Sequence, residues 1–96
     1  MLILTIKEFI ASKGFISIAS AVRVNKNGYP YVTFIDADNK AENVYFSKKA
    51  PVAEGQVIDK QFIAGFQIAE VENATGEKRT KLISNSARVS LADLLD

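Results

Sequence analysis

Neither cysteine nor histidine occurs among the 96 residues. Without cysteine the chain forms no disulfide, holds no thiolate-bound metal and has no cysteine nucleophile, and nothing in it points to an oxidising compartment. Without histidine it lacks the usual general base at neutral pH and the commonest metal ligand, so most hydrolytic and metalloenzyme mechanisms lose their main parts. Catalysis is therefore not expected. Asp36 and Asp38 lie close enough in sequence to hold Mg²⁺, but they sit in a turn, where Asp and Asn are expected for backbone reasons. No cofactor or metal is expected. Apolar runs are also short: Met1 to Leu4 is followed within four residues by Lys7 and Glu8, too soon for a signal segment or a membrane span. The expectation is a cytoplasmic protein with no membrane association.

What is present fits a single folded domain over residues 1–96. At this length about two thirds of the unfolded surface can be buried around one core. With 48% hydrophobic and 24% charged residues, the chain is too apolar to be disordered. The net charge of +1 says little about partners by itself. Two of the eleven acids, Asp93 and Asp96, fall in the last four residues, which leaves a mildly basic body facing an acidic tip.

The strongest local signals are turns. Asn25-Lys26-Asn27-Gly28 and Asp36-Ala37-Asp38-Asn39-Lys40 divide the stretch 21–49 into three strands rich in β-branched and aromatic residues, the third spanning Asn43 to Ser47. A two-residue Asn27-Gly28 loop would split the apolar residues of the first hairpin between two faces. A type I turn with Gly28 left-handed instead pairs Arg23 with Tyr31. That register collects Val22, Val24, Val32 and Phe34 on one face and Arg23, Tyr29, Tyr31 and Thr33 on the other. A basic residue beside two tyrosines on an outward face is a surface on which unpaired bases can stack.

Thr5-Ile6-Lys7-Glu8 fits a capping box for a helix from about Ile6 to Lys13 with Gly14 as its stop; a competing reading makes Leu2 to Ile6 a strand. Gly14 to Val24 alternates as one strand, with Ile16, Ile18, Val22 and Val24 inward, Ser20 opposite Phe34, and the small Ser17, Ala19 and Ala21 outward. The loop 50–55 follows. Val57 to Val71 reads as a long central strand bent at Gly65. Asn73-Ala74-Thr75-Gly76 turns into a last strand, Glu77 to Asn85; its Asn-Ala-Thr triplet is a chance sequon inside a turn. Ser90 can cap a short C-terminal helical turn, making 90–96 an acidic apolar tail.

Five strands joined by short loops predict a mainly β fold: a small five-stranded barrel of the oligonucleotide-binding (OB) kind with a short N-terminal helix. A β-sandwich or a six-stranded barrel is the alternative.

The stretch Asn25-Lys26-Asn27-Gly28-Tyr29-Pro30-Tyr31 resembles the hairpin of small single-stranded DNA-binding proteins of phages and bacteria. The chain has no Trp and no long Gly- and Gln-rich tail, which points to the compact phage type. The resemblance implies sequence-tolerant binding of single-stranded DNA, with RNA also possible, in a replication setting in the host cytoplasm. Tyr29, Tyr31 and Tyr45 would stack on bases. Arg23, Lys26, Lys48, Lys49, Lys78, Arg79 and Lys81 would follow the phosphates. A homo-oligomer is expected, with a possible protein partner at the acidic tail. The competing expectation is a β-barrel assembly or protein-interaction module without nucleic acid: tyrosines also serve as cover over a core, and lysines as guards on sheet edges.

Overall fold

The computed structural model of the chain describes residues 2–46, 50 and 52–84. It is mainly β, a single curled sheet in the form of a half-barrel with a short helix near the N-terminus. The elements in order are β1 (Leu2–Thr5), α1 (Ile6–Lys13), β2 (Phe15–Ile18), β3 (Arg23–Val24), β4 (Pro30–Asp36), β5 (Ala41–Phe46), α2 (Lys60–Gly65), β6 (Phe66–Glu72) and β7 (Lys78–Ser84). Across the sheet the order is β1-β6-β7-β5-β4-β2, with β3 also paired to β4. Every pairing is antiparallel except β5 with β7. The long connection from β5 through α2 lets β6 and β7 return in inverted order beside β5, a Greek-key crossing of the OB-like kind. Seven strands are present among the described residues where five were expected. β1 is an addition, and the first predicted strand is divided into β2 and β3.

The N-terminus resolves its two competing readings by containing both. Residues 2–5 pair with β6, and the chain turns into helix at Thr5. The Thr5 hydroxyl accepts the Glu8 amide and the Glu8 carboxylate accepts the Thr5 amide, both at 3.0 Å, while Gly14 ends the helix at φ 73°. Ile6 and Phe9 are buried beneath α1.

The predicted strand from Gly14 to Val24 is corrected in three places. A bulge between Phe15 and Ser17 inserts one residue, so Phe15 and Ile18 both face inward although they are three apart. Ile16 is turned out and 70% exposed. Ile18, not Ser20, pairs with Phe34. Beyond it the strand leaves β4, and residues 20–22 bond instead to 55–58, through Ile58 N–H to the Ser20 carbonyl and Val22 N–H to the Gln56 carbonyl.

The long strand expected over Val57 to Val71 is also corrected, because its first half is helical. Asp59 is an N-cap whose carboxylate accepts the Phe62 amide at 2.9 Å, and α2 runs to Gly65 before β6 begins. Gly65 closes a helix rather than bending a strand. The short apolar run had carried no periodicity strong enough to separate the two forms.

All six phenylalanines lie on the inner side, in two trios. Phe9, Phe15 and Phe34 meet with centroids 5.2 to 5.5 Å apart, joining α1 to the bulged strand and β4. Phe46, Phe62 and Phe66 meet at 4.5 to 6.1 Å, joining α2 to the sheet. Between the trios lie Val22, Val32, Val44, Ile68 and Leu82, all buried. Each helix thus plugs the curled sheet with a ring cluster. On the opposite face, Ala69 and Val71 of β6 form a second, smaller buried cluster with Ile83 of β7, while the part built by β4 and β5 carries half-buried and exposed side chains. No described helix is long and apolar enough to cross a membrane. The predicted C-terminal helical turn and the tail 90–96 lie outside the described residues.

Candidate nucleic-acid interface

The outer face is built by the same alternation that fills the core. The first hairpin adopts the expected register, Arg23 opposite Tyr31 and Val24 opposite Pro30, with Gly28 at φ 85°. The Asn25 side chain accepts the amides of Asn27 and Tyr29, and the Asn25 carbonyl accepts that of Gly28. This fixes the start of β4, and with it which β4 residues face outward.

Successive pairings then draw one row across the whole sheet. Arg23 lies opposite Tyr31, Tyr31 opposite Tyr45, Tyr45 beside Lys81, Lys81 opposite Ala69, and Ala69 opposite Ile3. The Tyr31 and Tyr45 rings are 5.2 Å apart at 45°, and Lys81 Nζ is 6.0 Å from the centroid of Tyr29. The three tyrosines are each half-buried, Arg23 is exposed, and Lys81 is 8% exposed. All three tyrosines of the chain therefore gather on the face opposite the phenylalanines. Lys81 supplies its charge from within this face and not as a free arm.

Of the remaining predicted residues, Lys26 is exposed in the turn that precedes Tyr29. Lys78 and Arg79 are exposed at the start of β7 but on opposite sides of it. Arg79 shares the outer side with Lys81, whereas Lys78 alternates to the other. Lys48 and Lys49 lie outside the described residues. One further row belongs to this face: Thr33 and Asn43 are paired directly, two residues along from Tyr31 and Tyr45, and the Thr33 hydroxyl donates to Asn43 Oδ1 at 2.7 Å. Counting back by two from Tyr45 in the sequence would have found Asn43.

Two other places offer less. Asp36 Oδ1 accepts the amides of Asp38 and Lys40, so the turn uses the carboxylate for its own backbone; among the described residues no cluster of acids suits a metal. An open cleft of about 410 Å³ beside α2 is lined by Gln56, Val57, Asp59, Gln61, Phe62 and Phe66. Its Asp59 caps α2 and its Gln56 side chain accepts the Ala53 amide. No family model, curated protein or solved structure matches the chain.

Proposed function

We propose that the chain binds single-stranded nucleic acid on the outer face of its sheet, without marked sequence preference, in the manner of the small phage-type single-stranded DNA-binding proteins. The observation that carries this reading is the segregation of aromatics: Phe trios inside, and all three tyrosines outside, with Tyr31 and Tyr45 in a row flanked by Arg23 and Lys81. Ring faces on a sheet accept any base, because every base has a π-face, and each stacked base contributes about 1–3 kcal/mol. OB-like barrels use the face of the strands equivalent to β4 and β5 for this purpose, together with the loops leading into the strands equivalent to β4 and β7. Here those loops carry Lys26 before β4 and Arg79 just after the 73–77 turn, where phosphates would run.

The test is a tyrosine-fluorescence titration with (dT), (rU) and duplex oligonucleotides at two salt concentrations. Single strands should bind more tightly than duplex, and binding should weaken with salt. Equal affinity for duplex, or no binding at low salt, overturns the proposal.

A second reading, self-assembly, is favoured by the edge strand β1. Leu2 is 52% exposed and Ile3 38%. The strand carries none of the charges, prolines or bulges by which edges usually discourage pairing with another sheet. Sedimentation of wild type against Ile3→Lys tests it: a dimer lost in the variant supports pairing through β1, and a monomeric wild type excludes it.

A further inference from the structure

A free asparagine amide offers one acceptor and one donor group, and its usual base contact is the bidentate pair with adenine, which needs both. Asn43 is not free in this sense. Its Oδ1 receives the Thr33 hydroxyl at 2.7 Å, and the pair is held in place by the direct Thr33–Asn43 register of β4 and β5. Asn43 is exposed, and with one of the two Oδ1 lone pairs taken and the amide plane held by that bond, its Nδ2 group is a donor with a fixed direction. The pair lies on the same face as Tyr31 and Tyr45, two residues further along each strand, roughly 7 Å away. A base lying on the two tyrosine rings would bring its polar edge toward this row.

We propose that Asn43 reads the edge of the base stacked on Tyr31 and Tyr45, with Thr33 as its positioning residue, and that the pair favours thymine, uracil or guanine over adenine. The inference rests on the outer face being a single-strand platform. A fixed N–H donor suits a carbonyl oxygen, which thymine, uracil and guanine present; adenine has no carbonyl and sets an amino donor beside its N7 acceptor. The binding is then tolerant of sequence but not indifferent to it.

The experiment compares the affinity ratio for (dT) over (dA) oligonucleotides of equal length in wild type, Asn43→Ala and Thr33→Val. Self-stacking of (dA) is common to all three proteins and cancels when their ratios are compared. Asn43→Ala should lower the ratio about three- to tenfold, the worth of one hydrogen bond, through weaker (dT) binding. Thr33→Val removes the bond that fixes the amide plane and restores the full acceptor capacity of Oδ1, so that Asn43 can turn to the bidentate adenine contact, and should lower the ratio by strengthening (dA) binding. Both residues are at the surface, so folded protein is expected, with circular dichroism as the check. A ratio unchanged in Asn43→Ala, with (dT) binding retained, overturns the inference and leaves the platform standing. A wild type that binds neither oligonucleotide removes the platform and this inference together.

Discussion

Phe15 and Ile16 show how one backbone irregularity redistributes the roles of neighbouring residues. Plain alternation assigns Ile16 to the core, yet the bulge turns it out to 70% exposure and brings Phe15 into contact with Phe9 and Phe34. We predict that Ile16→Thr changes stability by no more than about 0.5 kcal/mol, whereas Phe15→Ala costs on the order of 3 kcal/mol. Urea unfolding of both variants checks this, and equal losses would mean that the bulge is misplaced. At the proposed interface Tyr31→Ala should weaken (dT) binding by roughly 1–3 kcal/mol with the fold intact by circular dichroism. Unchanged affinity would remove Tyr31 from the site. Which tyrosines face outward was legible from alternation and turn type. That Tyr45 would stand beside Lys81 was not, because residues 36 apart were joined by a parallel pairing that no local pattern encodes.

Among the elements, three hairpin loops follow one plan. Asn25, Asp36 and Asn73 each open a five-residue loop and accept two backbone amides with the side chain, and the fourth position is left-handed: Gly28 at φ 85°, Asn39 at 63° and Gly76 at 85°. Asx residues and glycine state this geometry in the local sequence, so all three turns were readable. We predict that Asp36→Ala costs about 1 kcal/mol, as the loss of a helix cap does, measured by thermal unfolding. A neutral result would show that water replaces the carboxylate without penalty. α2 is the contrary case. Its six residues are too few to display a helical period, and Asp59 was the only local sign of its start. Gly65→Ala separates the two readings of this segment. Gly65 has no positive φ and open space where a Cβ would sit, so alanine there should stabilise by about 0.4–1 kcal/mol. A loss of stability would instead favour a backbone that needs glycine.

For the whole molecule, the proposed function makes the face on which a charge stands decisive for contact with phosphate. Arg79 shares the outer side with the tyrosine row and Lys78 alternates away from it. Arg79→Ala should therefore reduce the slope of log affinity against log salt by about 0.7, and Lys78→Ala should leave it unchanged. Equal slopes in the two variants would place the nucleic acid around the edge of β7 and not across its face. The ion pair between Lys13 and Glu70, 4.0 Å apart and partly exposed, is on the other side of the sheet and should affect neither slope. By itself the sequence determined the mainly β class, the capped helix α1, the three turns and the two faces of the first hairpin, because short-range sterics and side-chain-to-backbone hydrogen bonds specify each of them. Tertiary structure decided the rest: the bulge that exchanges Phe15 for Ile16, the helical form of 60–65, the addition of β1 to β6, and the row from Arg23 to Ile3. These depend on ring packing and on pairings between distant segments, whose free energy exists only once the sheet has curled.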